Sequence, residues 1–197
     1  MKEKIFAIIG NPLSHSLSPV MHSHWYNKYN VKARYEPIEI EQNEIKNVIE
    51  KIKKKEISGI NITLPYKQVI IQHLDKIIND AEVTHSVNTV YLDDKGNLVG
   101  ENTDVYGVQA AYLNKISLQK KFNSALVLGA GGVSPSIIYA LIKSNLRNIS
   151  ITNRTYEKSI FLKKKFPSIN IIKWEDFYKS IPEFGLIINA TSLGMKN

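Results

Sequence analysis

The feature that most constrains the fold of this chain is a glycine-rich loop between an apolar run and a helix-forming stretch. Residues 125–128 (Ala-Leu-Val-Leu) lead directly into residues 129–132 (Gly-Ala-Gly-Gly), and apolar helical spacing follows. Gly129 permits a tight turn, and Gly131 lets a ligand approach the backbone. The helix that follows offers N–H groups and the positive end of its dipole to a phosphate. Because strand, loop and helix occur in this order, residues 124–155 are predicted to bind a dinucleotide.

The residues after the next predicted strand indicate which dinucleotide binds. NAD-binding units usually have an acidic residue there, which accepts a hydrogen bond from the ribose 2′-hydroxyl. Here the tip reads Asn-Arg-Thr (153–155), and Glu157 comes only after the turn. Arg154 can pair with a 2′-phosphate, and Asn153 and Thr155 can donate hydrogen bonds to it. The pattern favours NADP; the alternatives are a helix cap at Thr155 and an ordinary surface charge at Arg154.

Apolar periodicity along the chain predicts an α/β fold with two domains. Strand-like runs alternate with amphipathic stretches, which is typical of parallel sheets with right-handed crossovers. The predicted strands are 4–9, 34–40, 57–63, 87–92, 98–101, 125–128, 149–152, 169–173 and 186–190. The predicted helices are 18–29, 42–54, 69–78, 104–113, 135–143, 156–165 and 175–179. Ser18 is the expected N-cap of the first helix, and residues 93–97 the turn of a hairpin. A domain boundary is expected near 103–120.

Composition narrows the classes of function. The net charge is +8, but only three of the 26 basic residues are arginine and the lysines are scattered, so solvated helix faces are favoured over a nucleic-acid surface. The absence of cysteine excludes disulfides, thiolate metal sites and a cysteine nucleophile. The five histidines lack metal-ligand spacing, so no metal is expected. No apolar run is long enough for a membrane span and no signal peptide is evident, so a cytoplasmic location is expected.

The first half of the chain has polar residues at its predicted strand ends and turns. Ligands of open α/β sheets bind outside the carboxyl ends of the strands, so these side chains could surround a small polyhydroxylated acid. Taken singly, each segment also fits ordinary turn chemistry. The segments are 14–18 (Ser-His-Ser-Leu-Ser), 61–67 (Asn-Ile-Thr-Leu-Pro-Tyr-Lys), 87–89 (Val-Asn-Thr) and 101–104 (Glu-Asn-Thr-Asp).

Together these segments resemble the shikimate dehydrogenase family. The matching pieces, in family order along the whole chain, are 10–12, 16–19, 61–67, 87–89, 102–104, 129–132, 153–155 and 189–195 (Asn-Ala-Thr-Ser-Leu-Gly-Met). The resemblance implies an N-terminal α/β shikimate-binding catalytic domain with a mostly parallel sheet (1–103), then a Rossmann-like NADP-binding domain (104–197). It implies the reversible, NADP-dependent reduction of 3-dehydroshikimate to shikimate, on the route to chorismate and aromatic amino acids.

The resemblance also implies a role for each matched residue. The substrate would be bound by Ser16, Ser18, Thr63, Lys67, Asn88 and Asp104. The serines would hydrogen-bond its carboxylate, and Thr63, Asn88 and Asp104 its hydroxyls. Lys67, assisted by Asp104, would be the catalytic acid and base. The cofactor would be held by Gly129, Ala130, Gly131, Gly132, Val133, Asn153, Arg154 and Thr155. One departure is that His85-Ser86 replaces the Gly-Ala pair usual before Val87.

Several alternatives stay open at this point. One is a quinate/shikimate dehydrogenase that uses NAD, and another is a chain that binds the ligands without catalysis. Nothing in the sequence fixes the oligomeric state, and a homodimer is left open. Family members continue beyond the position that corresponds to Asn197. The second domain is therefore expected to be incomplete at its C-terminus, and the polypeptide alone is expected to have little activity.

Overall fold

The computed structural model describes residues 3–117 and 122–194, and the chain divides into two units, Met1–Thr103 and Asp104–Asn197. The strands are β1 (Lys4–Gly10), β2 (Ala33–Glu39), β3 (Gly59–Ile62), β4 (Lys76–Ile77), β5 (Thr89–Leu92), β6 (Leu98–Glu101), β7 (Ser124–Leu128), β8 (Asn148–Thr152), β9 (Asn170–Ile171) and β10 (Leu186–Asn189). The α-helices are α1 (Ser18–Lys28), α2 (Ile45–Lys53), α3 (Asp80–Thr84), α4 (Asp104–Val108), α5 (Asn114–Ser117), α6 (Ser134–Lys143), α7 (Tyr156–Lys165) and α8 (Phe177–Ser180). The 3₁₀ helices are Gln42–Glu44, Val69–His73 and Ile181–Glu183, and a π-helical turn spans Gln109–Leu113. Within the described residues, no helix has the length and apolar character needed to cross a bilayer.

The first unit is built on a six-stranded sheet of order β2-β1-β3-β5-β6-β4. Strand β1 pairs in parallel with β2 and β3, and β4 pairs in parallel with β6, whereas β5 runs antiparallel to both its neighbours. The predicted hairpin joins β5 to β6, and the Asp93 carboxylate closes its turn by accepting the N–H groups of Lys95 and Asn97. The predicted sheet of mostly parallel strands is confirmed.

Helix α2 covers one face of this sheet. Its buried residues are Ile45, Val48, Ile49 and Ile52, at the helical spacing that predicted it. They share one core with strand residues such as Ile9 and Ile60. Burial of this apolar stripe stabilises the helix, which is too short to persist alone in water.

Two local predictions in the first unit are wrong. The segment predicted as a helix over 69–78 is helical only over Val69–His73 and then forms β4. The cause is non-local, because Asp75 N–H and Ile78 N–H donate to carbonyls of β6. Ser18 is not an N-cap, because α1 begins at Ser18 after Leu17 and has no side-chain cap bond.

Helix α3, which the periodicity did not predict, is followed by His85 in an unusual backbone conformation. His85 has φ 44° and ψ 43°, the left-handed conformation that often follows a helix. Glycine adopts this conformation without a steric penalty from Cβ. The backbone geometry at His85 would therefore be adopted more easily by glycine.

The second unit contains a sheet in which every pair of strands is parallel. Its order is β10-β7-β8-β9, with α6 connecting β7 to β8 and α7 connecting β8 to β9. Leu126, Val127 and Ile151 are fully buried in its strands, and Ile138 and Leu141 of α6 are fully buried as well. This is the Rossmann-like arrangement expected from the sequence, and it brings the loops after β7 and β8 to the same edge of the sheet.

A buried hydroxyl at the end of β8 leads to a prediction about stability. The Thr152 hydroxyl lies buried and has no hydrogen-bond partner among the described residues. Thr152→Val should raise the free energy of unfolding by about 1 kcal/mol, because it replaces an unsatisfied hydroxyl with a methyl of similar size. Thr84→Val is the matched control, because the equally buried Thr84 hydroxyl donates to the Asp80 carbonyl at 2.7 Å. Chemical denaturation of both variants tests whether Thr152→Val stabilises the protein while Thr84→Val does not. Destabilisation by Thr152→Val would contradict the prediction.

Candidate functional site

In the first unit, one edge of the sheet gathers four of the sequence segments with polar residues. Strands β1 and β3 are parallel and end at this edge. Strand β5 is antiparallel to β3, so it begins there, with Thr89 opposite both Asn61 and Glu101. Strand β6 ends at Glu101, also at this edge. The segments that follow β1 and β3, precede β5 and follow β6 are therefore neighbours.

The loops after β1 and β3 are held against each other by their backbones. The N–H of Thr63 donates to the Ile9 carbonyl at 2.9 Å, and the N–H of Asn11 donates to the Leu64 carbonyl at 3.0 Å. A Cβ at Gly10 would collide with the side chain of Thr63 and lie 2.9 Å from the Leu64 carbonyl oxygen. Only glycine permits this close approach, which fixes Thr63 beside the β1 loop.

The β1 loop carries the two serines singled out in the sequence. Both Ser16 and Ser18 are half-buried, and the Ser16 hydroxyl accepts the N–H of Ser18 at 3.4 Å. The Ser16 N–H in turn donates to the Leu13 carbonyl at 2.9 Å. The loop therefore presents two hydroxyl groups from a segment with its own internal hydrogen bonds.

Asn88, one of the matched residues, is held by several hydrogen bonds. It is 8% exposed, and its Oδ1 accepts the backbone N–H of Thr103 at 3.0 Å and the hydroxyl of Thr89 at 3.0 Å. Its Nδ2 donates to the Thr103 hydroxyl at 2.9 Å. A backbone N–H can only donate, so the Thr103 contact identifies Oδ1 and fixes the orientation of the carboxamide.

Lys67 lies in the turn after β3 and is half-buried. Its carbonyl accepts the N–H of Val87 at 2.8 Å, which joins this turn to the segment that contains Asn88. Next to it, the buried Tyr66 hydroxyl donates to the Ile40 carbonyl at 2.6 Å. Burial raises the pKa of Tyr66, so the phenol stays neutral and keeps donating. Asp104, the other predicted catalytic residue, is the half-buried first residue of α4 in the second unit.

In the second unit, the glycine loop after β7 has two glycines with different roles. Gly129 has φ +105°, and a Cβ there would lie 2.8 Å from Thr191 Cγ2 and 3.0 Å from the Ala190 carbonyl group. Gly131 is exposed, has no positive φ, and a Cβ there would meet only the Ala190 carbonyl oxygen, at 3.9 Å. Gly129 is thus required for the turn itself, while the space at Gly131 is open to a ligand.

Ser134, at the third position of the glycine fingerprint, ties the loop together. Its fully buried hydroxyl donates to the Gly129 carbonyl at 2.8 Å and accepts the Gly131 N–H at 3.0 Å. The sequence identified this position only as a small residue. A serine that opens a helix after a glycine loop could have signalled the bridge, because serine hydroxyls readily bond to nearby backbone groups.

The tip after β8 is joined to the glycine loop through Asn153. Its Oδ1 accepts the Ala130 N–H at 3.0 Å, and its Nδ2 donates to the Thr155 carbonyl at 2.8 Å. Thr155 occupies the N-cap position of α7 without a side-chain cap bond. Arg154 is exposed and has no hydrogen bond or ion pair among the residues that the structure describes. The tip therefore offers a guanidinium beside an anchored asparagine.

The last matched segment forms a compact turn after β10. The Asn189 carboxamide accepts the N–H of Thr191 at 3.0 Å and donates to the Leu193 carbonyl at 3.0 Å. The Thr191 hydroxyl accepts the Leu193 N–H at 3.1 Å. Met195, which completes the motif in the sequence, lies outside the described residues.

Comparison with known proteins gives a consistent result for both units. The family model of the shikimate dehydrogenase substrate-binding domain matches residues 8–90, and that of shikimate/quinate 5-dehydrogenase matches residues 112–194. The shikimate dehydrogenase (NADP(+)) of Pelagibacter ubique is 46% identical over 98% of this chain and 71% of its own length. That of Pyrococcus furiosus is 39% identical over 98% of this chain and 68% of its own length.

Solved structures of the same enzyme are also similar. The shikimate dehydrogenase of Aquifex aeolicus matches with a TM-score of 0.89 and 36% identity, over 99% of this chain and 71% of that protein. The enzyme of Thermus thermophilus, in complex with NADP(H) and shikimate, matches with a TM-score of 0.85 and 31% identity, over 98% of this chain and 70% of that protein.

Proposed function

The chain belongs to the shikimate dehydrogenase family, and we propose that it catalyses the NADP-dependent, reversible reduction of 3-dehydroshikimate to shikimate. The observation that carries the proposal is the shared sheet edge of the first unit. The loops at this edge carry Ser16, Ser18, Thr63, Asn88 and Lys67, whose side chains end in hydroxyls, a carboxamide and an amine. Such donors suit a small acid with several hydroxyl groups.

Each of these residues has a proposed role in binding. Ser16 and Ser18 hydrogen-bond the substrate carboxylate, for which hydroxyl donors on a short loop are suited. Thr63, Asn88 and Asp104 bind the ring hydroxyls. The fixed orientation of the Asn88 carboxamide supports its role, because a preset donor loses little conformational entropy when a ligand binds.

Lys67 is the proposed catalytic residue. When bound, NADP accepts a hydride from the carbinol carbon or returns it to the carbonyl carbon. In the direction of reduction, the Lys67 ammonium donates a proton to the oxygen that becomes the hydroxyl. In the direction of oxidation, the neutral amine takes that proton back. Asp104 is proposed to assist Lys67 by fixing the position of its side chain.

The residues of the second unit fit NADP. The open space at Gly131 allows a pyrophosphate to reach the backbone, and α6 begins directly after the loop. We propose that residues 129–133 hold the pyrophosphate and that Arg154 and Thr155 bind the 2′-phosphate. Asn153 is proposed to act there too, with its carboxamide already anchored to both loops.

Replacing Arg154 tests the cofactor assignment. Arg154→Ser should raise the KM for NADP⁺ by about tenfold or more, because a hydrogen bond between charged groups contributes roughly 1.5–3 kcal/mol. The KM for NAD⁺, which has no 2′-phosphate, should not change. Arg147→Ser is the matched control, since Arg147 is equally exposed but precedes β8 and so lies at its opposite end. Equal effects on both cofactors would contradict the assignment.

The proposed activity is tested by following NADPH formation with shikimate and NADP⁺. A related dehydrogenase from Listeria monocytogenes has been crystallised with shikimate and NAD, and one matched family model also covers quinate enzymes. Quinate and NAD⁺ are therefore the comparison substrates. We expect the highest kcat/KM for shikimate with NADP⁺. Turnover of quinate but not shikimate would refute the proposal.

A further inference from the structure

Tyr35 lies on β2, outside the polar segments singled out in the sequence, yet its hydroxyl contacts Asn61 at the sheet edge where the proposed substrate ligands lie. The side chain is 7% exposed, and its hydroxyl donates to Oδ1 of Asn61 at 2.7 Å. The imidazole of His22 stacks on its ring at a centroid distance of 4.1 Å, which holds the ring in place. Burial raises the pKa of Tyr35, so the phenol remains protonated.

Asn61 also forms hydrogen bonds with the segment that contains Asn88. Its Nδ2 donates to the Asn88 carbonyl and to the Thr89 hydroxyl, both at 3.2 Å. The Thr89 hydroxyl then donates to Oδ1 of Asn88 at 3.0 Å. An unbroken series of hydrogen bonds thus runs from Tyr35 to the Asn88 carboxamide.

The direction of donation is the same at every step. The Asn88 backbone carbonyl can only accept, so the Asn61 nitrogen faces it and the Asn61 oxygen accepts the Tyr35 proton. With its oxygen occupied, Asn61 must donate from nitrogen, so the Thr89 proton points toward Asn88. The backbone N–H of Thr103 independently assigns the same acceptor atom in Asn88. Hydrogen bonds aligned in this way strengthen one another.

We propose that Tyr35 and Asn61 are positioning residues, which hold the Asn88 carboxamide in the orientation that binds a substrate hydroxyl. The inference rests on the proposed function, because Asn88 is one of the proposed substrate ligands. Neither Tyr35 nor Asn61 needs to touch the substrate. Because Thr103 also holds Asn88, loss of the series should loosen the carboxamide without displacing it.

The experiment compares Tyr35→Phe with Tyr26→Phe as a matched control. The Tyr26 hydroxyl has no hydrogen-bond partner among the described residues, although its ring lies near that of Phe6 on the same face of the sheet. By isothermal titration calorimetry, Tyr35→Phe should raise the Kd for shikimate roughly three- to tenfold, the equivalent of one hydrogen bond. The Kd for NADP⁺ should not change in either variant, and Tyr26→Phe should bind both ligands normally.

Side-chain amide resonances in protein labelled with ¹⁵N-asparagine test the series without any ligand. Tyr35→Phe should shift the NH₂ signals of both Asn61 and Asn88. Asn61→Asp, which turns a donor into an acceptor, should shift those of Asn88 and raise the Kd for shikimate further. An unchanged Asn88 signal or an unchanged Kd in a folded Tyr35→Phe protein overturns the inference and leaves the proposed function standing. If the unmodified chain fails to bind shikimate, the proposed function and the positioning role both fall.

Discussion

Replacing Lys67 with alanine should lower kcat for shikimate oxidation by about 10²–10⁴-fold, the usual contribution of a positioned acid or base. The oxidised carbinol must lose its hydroxyl proton as the hydride leaves, and no other residue is proposed to take that proton. The turn itself should persist, because its bond to Val87 is made by the Lys67 carbonyl and Tyr66 anchors it through Ile40. We therefore expect a folded protein with much slower turnover. Steady-state and single-turnover kinetics with shikimate and NADP⁺ measure the loss.

Two controls show whether Lys67→Ala is slow because proton transfer is lost or because the protein is misfolded. Lys53→Ala removes an exposed lysine of α2 that pairs with Glu50 at 3.3 Å, a type of contact that contributes little to stability. Its kcat should equal that of the unmodified chain. In thermal unfolding, the melting temperature of Lys67→Ala should lie within a few degrees of that of the unmodified chain. A Lys67→Ala protein with nearly normal turnover would remove Lys67 from the mechanism.

Local sequence patterns predicted those elements whose apolar spacing fits only one type of secondary structure. Helix α2 was predicted because its four buried residues recur at helical spacing, and β7 with its glycine loop because strand, turn and helix follow one another. Strand β4 could not be predicted in this way, because it depends on pairing with β6, whose residues come more than 20 positions later. Apolar residues in 69–78 satisfy a helical pattern equally well, and only the distant strand decides between the two.

Local sequence patterns also fail to reveal the long-range hydrogen bonds at the edge of the first sheet. The sequence motifs singled out Asn88, but the partners that orient it come from three other parts of the chain. Asn61 and Thr103 are 27 and 15 positions away from it, and Tyr35 is a further 26 positions from Asn61. In the sequence, Tyr35 is only an aromatic residue in a strand of alternating pattern. Such a residue is more often part of the core. Hydrogen bonds over such distances become visible only once strand register is known.

The same small substitution at the two glycines of the cofactor loop should have different effects on stability. Gly129→Ala should lower the free energy of unfolding of the second unit by about 2–4 kcal/mol, because strain at positive φ adds to overpacking. The new methyl would lie against the Ala190 carbonyl group, which is backbone and cannot rotate away. Chemical denaturation measures this loss. Weaker binding of NADP⁺ should follow from it, because a distorted turn misplaces the loop.

Gly131→Ala provides the control and tests the ligand site directly. Its methyl meets only ordinary van der Waals contact, and its backbone has no positive φ, so stability should change by no more than about 0.5 kcal/mol. If the pyrophosphate of NADP approaches the backbone at this residue, the methyl occupies its space. The Kd for NADP⁺ should then rise about tenfold or more, while the Kd for shikimate stays the same. A stable Gly131→Ala protein that binds NADP⁺ normally would show that the cofactor does not use this loop. A Gly129→Ala protein of normal stability would show that the turn does not need glycine's conformational freedom.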